Sequence, residues 1–332
     1  MKQIIILLIG LSCGLFSLAS GQGNLGQAGA NFLQIGVEPR GAALGGAVTA
    51  LSEGAAALFW NPAGAVFTDN IDINLSQTNW LVDTKLMYGG LVKNFGSLGA
   101  FGIAVTSFYM DQMEITTVYE SEGTGQFYDA GDLAIGLSYA RSLTDRFMFG
   151  VTTKYVREYI WNESAAQVAF DVGSLYRTNF FNLCIGMVVR NFSGKMRFEG
   201  DEIDERIVEE MARGQINNPR VERLTPDFRL PQIFQMGIAF EPFTMNSGRL
   251  ILLADVNVPS DNEERVSFGL EYGFQKLAYL RGSYCVNFDS DNLSVGGGLN
   301  LNAIGMNARL DYSYSTHNAL GNVHRFGLGL SL

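Results

Sequence analysis

The sequence has no interior hydrophobic run. After the apolar start from Ile4 to Leu11, which continues to Ala19, nothing approaches the ~18 consecutive apolar residues that a membrane-crossing helix requires. Basic residues are scarce as well. With 23 Lys and Arg against 33 Asp and Glu, the formal charge is -10, which excludes the basic footprint of a nucleic-acid surface. Three cysteines and two histidines show no metal-ligand spacing, so neither a metal nor a cofactor is expected. Cys184 and Cys285 fall on well-separated strands and read as isolated reduced thiols. His317 and His324 flank one loop, and Asp289, Ser290 and Asp291 lie in the loop before it. Such a scatter carries no triad signature, so no catalytic residue is assigned and an enzyme is not expected.

What the chain does have is apolar content without runs. Hydrophobic residues make up 47% of it. They are dispersed by alternation. Val266, Phe268, Leu270, Tyr272 and Phe274 alternate with Ser267, Gly269, Glu271, Gly273 and Gln275. Phe234, Met236, Ile238 and Phe240 do the same, as do Leu133, Ile135, Leu137 and Tyr139, and Met306, Ala308, Leu310, Tyr312 and Tyr314. The last strand runs from His324 to Leu332, with Phe326, Leu328, Leu330 and Leu332 on one face. Successive strand residues point to opposite faces, so each segment has one greasy side and one polar or small side. The polar side gathers Lys154, Asp171, Arg190, Glu241, Asp255, Glu271, Arg281, Arg309 and Asp311. A soluble sandwich would turn these charges outward.

Three further features favour the opposite orientation, with grease outward into lipid. The start, with Lys2, the apolar stretch and Ala19-Ser20-Gly21, reads as a cleaved export signal over residues 1–21. Connections alternate between short and long. The short series is Asn94–Ser97, Ser142–Asp145, Asn179–Phe180, Pro242–Gly248, Gln275–Lys276 and Asn302–Gly305. The long series is Met110–Ala130, Tyr159–Ala165, Lys195–Leu230, Val258–Glu264, Phe288–Asn292 and Thr316–Val323. Residues 69–332 yield about 14 strands, an even number, as outer-membrane barrels with short periplasmic turns require. The expected fold is all-β: a transmembrane antiparallel β-barrel in the outer membrane of a diderm bacterium, with both ends of the mature chain on the periplasmic side.

Residues 22–68 do not alternate. Arg40 to Ala57 is rich in Ala and Gly and leads into Leu58-Phe59-Trp60-Asn61-Pro62-Ala63-Gly64. Ala favours helix and Pro62 ends it, so short helices and a turn of closely packing residues are expected. Gly41, Gly45 and Gly46 offer a small packing face. A phosphate loop is the alternative, but no strand precedes them and no Gly-Lys-Ser/Thr follows. Within the loop 195–230, Asp201 to Gly214 reads as a short helix with Ile203, Ile207 and Met211 on one face, either a solvated cover over the mouth or a docking element.

The blocks Phe32-Leu33-Gln34-Ile35-Gly36, Arg40-Gly41-Ala42-Ala43-Leu44-Gly45-Gly46-Ala47 and Asn61-Pro62-Ala63-Gly64 resemble the PorV/PorQ family of type IX secretion, itself similar to the FadL long-chain fatty-acid transporters. The resemblance covers the N-terminal segment and the strand count. It implies a barrel plugged by its N-terminal segment, with Asn61, Pro62 and Ala63 in the hatch turn. It also implies a role as an interaction component that meets secreted cargo and attachment subunits. The alternative it leaves open is a FadL-like transporter carrying a hydrophobic ligand through the lumen. The chain departs from the family in ending on Leu332 rather than an aromatic residue.

Overall fold

The computed structural model of the chain describes residues 26–180, 182–200, 225–245, 248–287, 292–317 and 321–332. The export signal and the 201–214 segment, with Ile203, Ile207 and Met211, lie outside the described residues. The strands are β1 (Ile71–Asn79), β2 (Lys85–Asn94), β3 (Ala100–Tyr109), β4 (Met113–Glu114), β5 (Phe127–Tyr128), β6 (Ala130–Ser142), β7 (Phe147–Ile160), β8 (Glu163–Arg177) and β9 (Cys184–Ser193). They continue with β10 (Lys195–Met196), β11 (Phe228–Arg229), β12 (Ile233–Met245), β13 (Gly248–Pro259), β14 (Arg265–Phe274), β15 (Ala278–Val286), β16 (Leu293–Asn300), β17 (Ala308–His317) and β18 (Gly321–Ser331). Fourteen of them close a single barrel by antiparallel pairing, in the order β1-β18-β17-β16-β15-β14-β13-β12-β9-β8-β7-β6-β3-β2. The short pairs β4–β5 and β10–β11 are hairpin ladders outside the wall.

Closure falls on the terminal strand. Leu75 lies opposite Leu328 and Gln77 opposite Phe326, so the last strand is stitched to the first and no edge is left open. Phe268, Leu270, Tyr272 and Phe274 are each exposed on the outer face of β14, while Ser267 and Glu271 are buried inside. The same holds around the wall: the bare apolar belt belongs to a hydrocarbon environment, not to water. Aromatic side chains meet near the short-turn rim, where Phe95, Phe101 and Tyr139 pack with ring centroids 5.7 and 5.0 Å apart. Rings at that level suit the membrane interface.

The wall has two irregularities. On β8 and β9 the pairing jumps between Phe170 and Val172, and Asn191 takes a left-handed φ of 60° opposite the skip. A bulge of this kind redirects side chains. Here the Asn191 N–H donates to Asp171 at 2.7 Å, and the carboxylate is aimed at Lys154, 2.9 Å away. The second bulge lies on β12 between Phe240 and Phe243.

Three expected connections differ, one of them Thr316–Val323, which is shorter than expected because the β17–β18 ladder runs on to the His317–Gly321 pair. Tyr159–Ala165 is not a long loop: the β7–β8 ladder runs up to the Ile160–Glu163 pair, because Tyr159, Ile160 and Ser164 continue the alternation. The Asn179–Phe180 turn is longer than expected, since β9 begins only at Cys184. The larger correction concerns the ends of the chain. Leu332 pairs with Ile71 on the short-turn side, as expected. The residues where the mature chain was expected to begin lie outside the described ones, but the segment described from Gly26 lies at the other mouth: the Gly26 N–H donates to the Asp261 carbonyl in the β13–β14 loop, and Ala28 bridges to Arg229 of β11. From there the chain threads the lumen and reaches β1 at the short-turn rim, where the Asn94 N–H donates to the Asn70 carbonyl. Strand periodicity carries no information about the direction of a segment that does not alternate.

Candidate functional site: the filled lumen and its outer mouth

The plug is a set of short turns rather than a domain. Helical turns occur at Asn31–Gln34, Pro39–Ala43, Gly54–Ala56, Ala57–Trp60 and Pro62–Phe67. Proline at the first position and an acceptor before it start two of them. Glu38 accepts from the Arg40 and Gly41 N–H groups ahead of Pro39, and Asn61 accepts from the Ala63 N–H at 3.2 Å ahead of Pro62. Glu38 and Asn61 are both buried, so each cap also removes an otherwise unpaired donor from a dry interior.

Asn61 does more than cap. Its Nδ2 donates to the Thr49 carbonyl at 2.8 Å and to the Ser174 carbonyl of β8 at 3.2 Å. One side chain thus ties the turn to an earlier part of the plug and to the wall. Pro62 and Ala63 press against Gly150 of β7, and Gly64 lies against the Ser52 carbonyl. Gly41 lies under the Trp60 indole. Gly45 and Gly46 adopt left-handed φ values of 63° and 75°, and Gly45 sits against Ser283 and Cys285 of β15. The structure therefore places all seven plug residues in the lumen, in roles set by size and backbone conformation.

The wall answers the plug with glycines. A Cβ on Gly102, Gly173, Gly186, Gly296 or Gly327 would overlap Leu58, Asn61, Thr49, Ala43 or Pro39 respectively. Sequence reading missed this set. The signal was present: glycine recurring on the inward parity of several strands marks where a second backbone approaches closely.

The nine inward charges lie in the interior, but they form separate groups. Glu271 takes paired bonds from Arg40 at 2.9 Å and accepts from Arg281 Nε at 2.7 Å. Arg281 also reaches Asp311 at 2.6 Å, and Asp311 accepts from Arg309 at 2.7 Å. With Glu53, which Arg40 also reaches at 3.4 Å, this is the largest group, and Arg40 and Glu53, which belong to the plug, are the members the strand pattern did not supply. Lys154 and Asp171 pair on their own at 2.9 Å. Asp255 accepts from the Thr49 N–H and from Gln235 at 3.0 Å each. Arg190 donates to Gln235 and the Phe59 carbonyl at 3.4 Å and lies over the Phe59 ring. Glu241 pairs with Arg249 at 3.0 Å near the short-turn rim. Each charge has a named partner, as burial demands.

Nearer the outer mouth the filling changes. Phe32, Leu33 and Val37 of the thread pack with Leu86, Val156, Met196 and Leu230 in one buried apolar cluster. A cavity of about 340 Å³ opens beside it at the rim, between Ala28, Lys195, Asp227, Arg229 and Ser260. The two cysteines of the described chain are buried and form no disulfide, and Cys285 contacts Ser267 at 3.3 Å. His317 of β17 packs against Trp80, and His324 of β18 hydrogen-bonds Tyr312 at 2.9 Å.

A closed 14-stranded wall with an outward apolar belt and a lumen filled by its own N-terminal segment defines a plugged outer-membrane barrel. The family model for type IX secretion system protein PorV matches residues 20–218, more than half of the chain, and the chain belongs to that family. Among solved structures, a FadL homologue from Pseudomonas aeruginosa aligns with TM-score 0.57 at 12% identity, covering 89% of this chain and 98% of that one. The CymD monoaromatic hydrocarbon channel gives TM-score 0.56 at 12% identity, over 90% and 98% of the two chains. The toluene transporter TbuX of Ralstonia pickettii gives 0.54 at 12%, over 89% and 97%. At such identity these likenesses establish the FadL-like fold. No curated protein matches the sequence.

Proposed function

We propose that this barrel serves type IX secretion as an interaction component, meeting secreted cargo or attachment subunits at its outer mouth. The observation that carries the reading is the way the lumen is occupied. The plug is interlocked with glycines on at least five strands and bonded to buried carboxylates. A filling so seated leaves the rim as the surface on which the protein acts, and the family supplies the system in which it acts. The same seating argues against free passage of a hydrophobic solute, the activity named for the toluene transporters that share the fold. The export signal over residues 1–21 is removed on the way to the outer membrane, and no catalytic step is assigned. Replacing His317 or His324 is expected to leave secretion unchanged.

The test is deletion of the gene, with cargo display on intact cells measured beside pull-down from detergent-solubilised outer membranes. Loss of display together with recovery of secretion subunits or cargo supports the reading. Normal display in the deletion strain overturns it, and co-purified fatty acid without any protein partner would favour transport.

A further inference from the structure

The described thread enters the barrel through one isolated bridge and a few backbone hydrogen bonds. Ala28 bridges in parallel to Arg229, and the Gly29 N–H donates to the Arg229 carbonyl at 3.0 Å. On the other side the Gly26 N–H donates to the Asp261 carbonyl at 3.0 Å, and the Ala30 N–H donates to Glu158 at 2.6 Å. These contacts use the thread's backbone, which turns left-handed at Gly26 and Ala30 and enters a helical turn at Asn31–Gln34. Side-chain contacts add to them: Gln34 Nε2 donates to Asp261 at 2.9 Å. Gly29 lies where a Cβ would overlap the Phe228 ring, and Phe32 with Leu33 fill the apolar cluster below.

From this geometry we propose that the outer-mouth groove is an acceptor site for a segment of a second polypeptide at the cell surface, held mainly through its backbone, and that Gly26–Leu33 is its resident occupant. The preferred segment carries glycine at the position of Gly29 and two large apolar residues three and four positions later. The cavity between Ala28, Lys195, Asp227, Arg229 and Ser260 gives an incoming chain a foothold beside the thread before exchange. The direction of the thread makes exchange geometrically simple, because Gly26, the first of the described residues, bonds at the outer rim. The anchors further along, from Glu38 to Asn61, stay in place. The proposal rests on the interaction role above and adds the site and the form of the partner.

The probe is a labelled synthetic peptide with the sequence of residues 26–36, offered to the purified full-length barrel in detergent. Leu33→Ala weakens the resident thread without touching the groove, and is expected to raise peptide affinity by about tenfold or more, since apparent affinity follows the fraction of open sites. Ala28→Cys with Arg229→Cys joins bridge partners, close enough for a disulfide; once oxidised, it is expected to abolish binding, and reduction to restore it. Equal binding to the locked, wild-type and Leu33→Ala proteins overturns the proposal. In cells, the oxidised lock is expected to lower cargo display at least severalfold. Full display with the thread locked overturns thread exchange but leaves the secretion role standing, provided that deletion still abolishes display. Normal display after deletion removes the secretion role itself, and the peptide assay then judges the groove alone.

Discussion

The inner and outer parts of the lumen are filled by the same N-terminal segment in different ways. Toward the periplasm apolar clusters around Leu44, Trp60 and Leu58 are joined by an ionic anchor, the chain Arg40, Glu271, Arg281, Asp311 and Arg309. Toward the cell surface the filling is apolar, with Phe32, Leu33 and Val37 against wall residues and a few backbone bonds at the rim. The two fillings respond differently to a lost partner. Removing one member of a buried ion group strands the others without water, which costs about 3–5 kcal/mol. Removing apolar atoms costs a graded amount and leaves no charge exposed to hydrocarbon. An ionic filling is therefore a fixed anchor, whereas an apolar filling can be withdrawn and restored. A segment that must hold at one end and exchange at the other is suited by this division.

The largest effect is expected from Arg281→Ala. It leaves Glu271 and Asp311 facing each other in the interior, 2.7 and 2.6 Å from where the guanidinium stood. A loss of about 3–5 kcal/mol should appear as a lowered temperature for loss of the compact, heat-modifiable band on gels. If the fall is as large in a triple variant that also removes both carboxylates (Glu271→Gln with Asp311→Asn), stranded carboxylate charge is not the cause. Next is Leu33→Ala, which deletes part of the apolar cluster at about 2–5 kcal/mol by the usual cost of such truncations. Its signature is local: proteases should reach the thread near Gly26 while the barrel band keeps its melting temperature. A matching drop in barrel stability would show that the two fillings form one cooperative unit.

A smaller effect is expected from Asn61→Ala. Three hydrogen bonds are lost, and the Thr49 and Ser174 carbonyls lose a donor in a buried place. Each unsatisfied group costs about 1–3 kcal/mol, partly offset where the turn relaxes. Hydrogen exchange should rise at Ala63 and Gly64 before it rises in β8. Unchanged exchange there would make Asn61 a spacer and not a tie between plug and wall.

How much of this was legible depends on which residues repeat. Alternation in segments such as 266–274 and 324–332 disclosed the barrel, the strand number and the inward charges, because each strand repeats the same two-faced rule. Asn61-Pro62 disclosed a turn, since proline constrains its neighbour wherever it occurs. Arg40 was not recognised as the partner of Glu271, because no local pattern links positions so far apart in a chain. The thread's direction was misjudged for a related reason: residues 26–36 have no period, and their course is set by what Phe32 and Leu33 find to pack against. The wall glycines were visible but unread, because one glycine in a strand is ordinary and only the set, on one parity, has meaning.

The smallest and finest test lies at Ala30. Its φ of 50° is in the left-handed region, where a Cβ crowds the backbone and costs about 1–2 kcal/mol. The strain is held by the bond from the Ala30 N–H to Glu158, by the Gly29 bond to Arg229 and by the burial of Ala30 itself. Ala30→Gly removes the crowding and loses one buried methyl group, so the net gain is expected to be at most about 1 kcal/mol. That gain should slow exchange of the Gly29 and Ala30 amides severalfold, because local opening sets their rate. It should also weaken binding of the 26–36 peptide, since a better-held thread yields its groove less often. Glycine thus moves the outer filling toward the fixed behaviour of the inner one without altering a single groove residue. Faster amide exchange, or tighter peptide binding, would mean that the left-handed turn is not what makes the thread ready to leave.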